Sequence, residues 1–348
     1  MPNQTFHLPV IQTNYARILV EVFADYGLDK HKLLSDAGLP ADLFQTESDY
    51  IPSESIKRLI HLTSSQLGVT KFTDLLVLVF RRRVIPNVLH QFLPFQTIGE
   101  SMQHIDEIFS LDSPGSNVSF ETHHGHAWFC RYSEQKDTQI ANWSEAFAVI
   151  YIIELISILT KTAWYPSKVR LQGSNSDIVK SVVPSQCQIF VGQEKTSVYI
   201  PADILNVPIQ ISDSQLGAEP SQIQWHTSFT DSVFELLRPY VRERNLSIEE
   251  AAQLLSYSVR TFQRKLKNEG TSFRHIKESL MFSVSCELME EGHSLTYISN
   301  QLGYTSISHF SRAFKRVSGL SPKVYKQSIA LNAPALRDVI LLSPFEAW

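Results

Sequence analysis

Cysteine is scarce in this chain. Cys130, Cys187 and Cys286 are the only three in 348 residues, with no Cys-x-x-Cys spacing, so neither a disulfide framework nor a structural zinc site is written here. A reducing, cytosolic compartment is expected. With 13 Gly, 16 Pro and only 19% charged residues, the composition excludes collagen, coiled-coil and low-complexity architectures. The opening MPNQTFHLPVIQTNYARILV has no basic stretch followed by an apolar core and a small-residue cleavage site, and is not read as a signal peptide. Long apolar runs are missing too. The most apolar stretch, residues 146–159, is interrupted by Glu154 and Ser157 and is shorter than the roughly 20 residues that span a bilayer. It is expected to be a buried helix, with no membrane partner. No P-loop, dinucleotide fingerprint or His-Glu-x-x-His occurs, and Cys187 in SQCQIF lacks the glycines of a nucleophile elbow. Neither a catalytic residue nor a cofactor is expected.

What is present begins with 43% hydrophobic residues, enough to fill the cores of two or three domains. The overall charge of −4 is unevenly spread. Residues 236–328 hold 14 Lys and Arg against 8 Asp and Glu, a local net of +6. A basic module on an acidic body suits a nucleic acid or a membrane surface, although a solvated basic face has the same composition.

Periodicity predicts helices over 14–26, 30–37, from Ser53 to about Gly68, 71–80 and 98–109. NVSFETH and HAWFCRY alternate and are joined through His124 and Gly125, the pattern of a β-hairpin. A long helix over 142–160 and short strands at 169–172, 188–191 and 196–200 follow. Pro201, Pro208 and the polar run 212–221 then break the pattern, and consecutive helices run from Thr230 to about Ser328. The expected organisation is a regulatory domain over 1–211, a linker over 212–229, an all-helical domain over 230–328 and a tail over 329–348.

The helical part contains an internal duplication. SVRTFQRKLK, starting at Ser258, aligns with SISHFSRAFK, starting at Ser306, at an offset of 48, while just upstream Ala252, Leu255 and Ser256 align with Ser299, Leu302 and Gly303 at an offset of 47. Each copy has the pattern of a helix-turn-helix, with Phe262 and Leu266, or Phe310 and Phe314, packing the second helix on the first. The other face of that second helix is polar and cationic: Arg260, Gln263, Arg264 and Lys267, then Ser308, His309, Arg312, Lys315 and Arg316. Such a helix fits a major groove, where Arg and Gln read base edges while Lys and further Arg meet phosphates. Between the copies a helix over 273–290 would span about 27 Å, which would set the two faces near one DNA turn, about 34 Å, apart. A helical bundle with incidental surface charge is the plainer reading, and the matched cations argue against it.

Elsewhere, Arg81, Arg82 and Arg83 could hold a carboxylate or phosphate, or form a solvated run. Phe92, Phe95, Trp128, Phe129 and Tyr132 could line an apolar effector pocket, or be plain core. His123, His124 and His126 lie around the hairpin tip without a cysteine or carboxylate cluster at ligand spacing, so no metal is expected.

Residues 247–325, above all SIEEAAQLLSYSVRTFQRKLKNEGTSF and ISNQLGYTSISHFSRAFKRVSGLSPKVYK, resemble the DNA-binding domain of the AraC/XylS family of bacterial transcription regulators. The resemblance implies base-facing positions at Arg260, Gln263 and Arg264, then Ile307, Ser308, His309 and Arg312, with Ile307 a departure toward an apolar contact. Met281 and Ser285 stand where the family usually has Arg and Ala, and Ser256 replaces the usual turn glycine. More loosely, about 15–210 resembles the arabinose-binding-type sensor domain that precedes this module in one branch of the family. The implied fold is an α+β sensor domain followed by an all-α DNA-binding domain with two helix-turn-helix motifs joined by a long helix. The implied function is an effector-responsive regulator, by family habit an activator, whose partners are operator DNA, a small-molecule effector and RNA polymerase, with homodimer formation left open. Alternatives are a regulator with an enzymatic N-terminal domain and a constitutive DNA binder.

Overall fold

The computed structural model describes residues 8–112, 117–133, 138–217 and 228–330. The chain divides into two compact units, one of Pro9–Leu39 and Asp49–Gln224, the other of Met1–Leu8, Pro40–Ser48 and Trp225–Trp348. The tail over 331–348 and most of the expected linker lie outside the described residues.

The N-terminal unit opens with β1 (Val10–Gln12), α1 (Thr13–Asp25), α2 (Lys30–Ala37), β2 (Tyr50–Pro52), α3 (Ser53–Leu67) and α4 (Val69–Val79). β1 and β2 form a small antiparallel pair. A π-helical turn, Phe80–Val84, runs into α5 (Ile85–Val88), a 3-10 turn (Leu89–Phe92), α6 (Ile98–Gln103) and α7 (Ile105–Asp112). Next come β3 (Asn117–His123), β4 (His126–Tyr132), α8 (Gln139–Thr160), β5 (Lys168–Arg170), α9 (Asp177–Lys180), β6 (Gln188–Phe190), β7 (Thr196–Ile200), α10 (Ala202–Leu205) and a 3-10 turn at Asp213–Gln215. The strands build one five-stranded sheet in the order β3-β4-β7-β5-β6, antiparallel throughout except for β5 with β6.

Most expected elements are found, with instructive shifts. The hairpin pairs His123 with His126, and His124 and Gly125 both take positive φ, 51° and 74°, as a two-residue turn between right-twisted strands requires. The long helix starts at Gln139, three residues earlier than its apolar pattern, because the Thr138 hydroxyl accepts from the Ala141 N–H at 3.0 Å and caps it. Of its most apolar window, 72% is buried, so α8 is long and apolar enough to cross a membrane yet serves as the core helix of its unit. The expected strand through Gln172 stops at Arg170, since the Gln172 N–H donates to buried Glu145 at 2.6 Å rather than to a neighbouring strand. The helix expected over 98–109 breaks at His104, whose backbone leaves the helical region.

The C-terminal unit is helical: α11 (Phe229–Glu243), α12 (Ile248–Leu254), α13 (Val259–Asn268), α14 (Phe273–Glu290), α15 (Leu295–Gln301), α16 (Ile307–Ser318) and α17 (Pro322–Ala330). Its core is made by Val233, Leu237, Ala252, Phe262, Leu266, Ile276, Leu280, Val284, Ile298, Leu302, Phe310 and Phe314. Ion pairs brace α11 along α14, Arg238 to Glu287 at 2.6 Å and Arg242 to Glu291 at 2.6 Å. The segment Pro40–Ser48 belongs to this unit, where Asp42 lies 3.8 Å from Arg242 and the Ala41 N–H donates to Glu243. The expected regulatory domain over 1–211 includes that segment, and nothing in its local pattern separates it from its neighbours.

Candidate nucleic-acid interface

Two helix pairs, α12 with α13 and α15 with α16, are built by the same local chemistry. Ser247 and Ser294 cap the first helix of each, accepting from Glu250 N–H at 3.2 Å and Tyr297 N–H at 3.1 Å. The turns that follow share their hydrogen bonds residue for residue. Ser256 N–H donates to Gln253 O and Tyr257 N–H to Ala252 O, while Gly303 N–H donates to Asn300 O and Tyr304 N–H to Ser299 O, all at 2.8 to 3.1 Å. Both turns need a left-handed residue, with φ of 59° at Ser256 and 71° at Gly303. The second helix is then capped by Ser258 in one pair and Ser306 in the other. The extra residue of the second turn, Thr305, precedes its cap, which is why the alignment offset changes there.

Each second helix turns a buried aromatic inward and a cationic face outward. Phe262 and Leu266 are buried on α13, Phe310 and Phe314 on α16. Arg260, Gln263, Arg264 and Lys267 are exposed and fall at intervals of three, four and seven residues, so they form one stripe. Ile307, Ser308, His309, Arg312, Lys315 and Arg316 are exposed on α16. Among the described residues Arg260, Arg264, Lys267, Arg312 and Lys315 make no ion pair, which leaves five cations for an outside anion. Arg316 differs: it donates to Glu278 of α14 at 2.9 Å, and Arg274 reaches the same carboxylate at 3.2 Å. His309 sits against Tyr304, edge to face at 5.8 Å, with its Nδ1 3.4 Å from the Thr305 hydroxyl. Ile307 is 42% exposed at the first turn of α16, an apolar group held in water.

Met281 and Ser285, the two departures on α14, are both buried, and the Ser285 hydroxyl donates back to Met281 O at 2.5 Å. A cation at position 281 would have to leave this packing to reach solvent. Lys265, between Arg264 and Lys267 in the chain, instead lies over the Phe229 and Tyr257 rings at 5.3 and 5.4 Å.

The candidates in the N-terminal unit do not converge on one place. Phe92, Trp128 and Phe129 are buried in the core, Trp128 under the Arg170 guanidinium at 4.0 Å. Phe95 stacks on His104 at 5.2 Å, and Tyr132 is 43% exposed at the end of β4. Arg81, Arg82 and Arg83, by contrast, line a single cavity. His123 is paired with Glu121 at 3.1 Å, and His126 meets the Tyr199 hydroxyl at 3.4 Å. Among the described residues no three His, Cys, Asp or Glu side chains group as metal ligands. Burial raises the thiols of Cys187 and Cys286, the latter to about 12, so neither is an activated thiolate.

Sequence reasoning missed two things here. The brace of α11 on α14 pairs residues 49 apart in the chain, beyond any local pattern. The buried carboxylate of Glu145 gathers Gln172 N–H, Gly173 N–H and the Thr196 hydroxyl, partners 27 to 51 positions away that no local pattern links to it.

Residues 251–328 match a family described as a helix-turn-helix domain. An uncharacterized HTH-type transcriptional regulator of Mycobacterium tuberculosis is 38% identical over 79 residues, 22% of this chain and 23% of that one. The HTH-type transcriptional regulator AdiY of Escherichia coli is 32% identical over 99 residues, 28% of this chain and 38% of its own length. The chain thus spans about a quarter of the length of the first curated relatives it matches. Among solved structures, the transcriptional regulator CdpR of Pseudomonas aeruginosa covers 90% of this chain and 98% of its own at 17% identity, with a TM-score of 0.31. The C-terminal unit therefore contains a helix-turn-helix domain of the kind found in transcriptional regulators.

Proposed function

We propose that the chain is a sequence-specific, DNA-binding transcription regulator of the AraC/XylS type, acting in the cytoplasm. Both helix pairs serve as helix-turn-helix motifs, with α13 and α16 as recognition helices and α14 holding them apart. In this reading Arg260, Gln263 and Arg264 read bases from the first helix, and Ile307, Ser308, His309 and Arg312 from the second. Lys267, Lys315 and Arg316 hold phosphates, which orient the protein without reading sequence. The N-terminal unit responds to a small-molecule effector, and the chain acts as an activator that contacts RNA polymerase. Several relatives are activators by name, CsvR and AggR of Escherichia coli among them. No catalytic step belongs to this function.

The observation that supports it best is the repetition itself: two helix pairs with the same capped, left-handed turn, each presenting unpaired cations on its second helix. The test is selection of binding sites from random duplexes by the full chain, followed by footprinting. A selected site with two protected segments on one DNA face supports the reading. Recovery of no sequence preference would defeat it.

A further inference from the structure

A cavity of about 570 Å³ opens beside the π-helical turn Phe80–Val84. Its size falls within the roughly 300 to 1,000 Å³ of small-molecule sites. Consecutive residues of an α-helix diverge by about 100°, yet on this turn Arg81, Arg82 and Arg83 all line the cavity. π-helical turns recur at functional sites because they displace side chains from the regular helical face.

Two of the three cations are already compensated. Arg81 forks onto Glu154 of α8 with bonds of 2.6 and 2.9 Å, and Arg83 donates to Glu21 of α1 at 2.8 Å. Arg82 is exposed and has no ion pair or hydrogen bond among the described residues. The cavity therefore keeps one planar, always-charged donor for an incoming anion. Its walls are otherwise suited to an organic body, with Pro86, Ile158 and Leu216 apolar and part-exposed and the Asn14 and Asn87 amides beside them.

The rim is formed by Ser214–Gly217, the last described residues before the chain continues to the C-terminal unit. This rim is pinned. Gly217 N–H donates to Pro86 O at 2.9 Å, and its carbonyl lies 3.1 Å from His90 Nε2. A Cβ at position 217 would come within 2.4 Å of Asn87 Oδ1, so only glycine fits against the cavity wall. A ligand entering here meets the segment that leads out of the unit.

We propose that this cavity binds a small organic acid, its carboxylate on Arg82 and its apolar body against Pro86, Ile158 and Leu216, with occupancy felt by the rim segment Ser214–Gly217. The binding site stands on the cavity alone; the regulatory half rests on the effector reading proposed above.

Thermal melting and calorimetry of the full chain test the site, with hexanoate, uncharged hexanamide and inorganic phosphate as probes. Hexanoate is expected to raise the melting midpoint by a few degrees in a concentration-dependent way, hexanamide to leave it unmoved, and phosphate to act more weakly than hexanoate. Arg82→Gln should melt like the parent without ligand, since Arg82 is exposed and unpaired, and should lose the hexanoate shift; Arg82→Lys should recover part of it. No shift with hexanoate, or an equal shift in Arg82→Gln, would overturn the site. A phosphate shift as large as that of hexanoate would overturn the organic-acid assignment. DNA affinity measured with and without hexanoate separates the two halves. Binding through Arg82 with no change in DNA affinity would keep the site and defeat the effector reading, whereas absence of binding would remove this site and leave that reading to another.

Discussion

The two helix pairs of the C-terminal unit are near copies in backbone and only partly alike in surface. Caps, turn hydrogen bonds and the inward aromatic recur at matched positions, as do Arg264 and Lys267 in Arg312 and Lys315, yet Arg260, Thr261 and Gln263 of α13 stand where α16 has Ser308, His309 and Ser311. The repeated caps, turn and aromatic are what each pair needs to fold; the divergent part is what a recognition surface is free to vary. The same contrast separates the turns. Gly303 fills the left-handed position without strain, whereas Ser256 fills it with a side chain, at a cost of roughly 1 to 2 kcal/mol. Ser256 is exposed, whereas at Gly303 a side chain would meet a further obstacle, since a Cβ there would lie 2.9 Å from Asn245 Cβ.

The largest effect is expected from removing the inward aromatics. Phe262→Ala and Phe310→Ala should each destabilise the unit by about 3 to 5 kcal/mol, as measured by denaturant unfolding, because both are fully buried. Unequal costs would show that one pair is held mainly by its neighbours. Next, Gly303→Ser should cost about 2 to 3 kcal/mol, combining left-handed strain with the Asn245 contact. The reciprocal Ser256→Gly should stabilise by about 1 kcal/mol; a loss of stability there would mean that the serine side chain holds the turn.

On the DNA side, Arg264→Ala and Arg312→Ala are each expected to cost about 1 to 3 kcal/mol of specific binding and to relax preference at their own base pairs. Lys267→Ala and Lys315→Ala should weaken binding to all sequences and lower the salt slope by about 1. The smallest effect is expected from Glu278→Gln, which frees Arg316 and Arg274 from their shared carboxylate. Affinity for all duplexes should rise modestly and fall more steeply with salt, an outcome read by fluorescence anisotropy across a salt series.

The repeat, the hairpin and the linking helix were legible in the sequence because each is set by local signals: capping serines, the His124-Gly125 turn, and periodic apolar residues. The expected linking helix over 273–290 matches α14 at both ends. What could not be read depends on distant partners. The π-helical turn carrying Arg81 to Arg83 begins where the expected helix over 71–80 ends, and Arg81 and Arg83 are tied to Glu154 and Glu21 from other helices. The grouping of Pro40–Ser48 with the C-terminal unit rests on Asp42 and Ala41 meeting residues some 200 positions away. The outward polar faces of α13 and α16 were visible as a stripe, but that Arg316 is engaged and Arg312 is not emerged only from the position of Glu278.

Joint use of both helix pairs is best tested by inserting five base pairs between the two protected segments of a selected site and titrating the full chain. The linking helix of 18 residues, about 27 Å long, should hold the recognition helices roughly one DNA turn apart, so half a turn of added twist moves one segment to the opposite face. Affinity should then fall toward that of a single segment, and a ten-base-pair insertion should not restore it, because the helix fixes the spacing as well as the face. Unchanged affinity after the five-base-pair insertion would mean that one helix pair alone engages DNA and that the other is a structural copy.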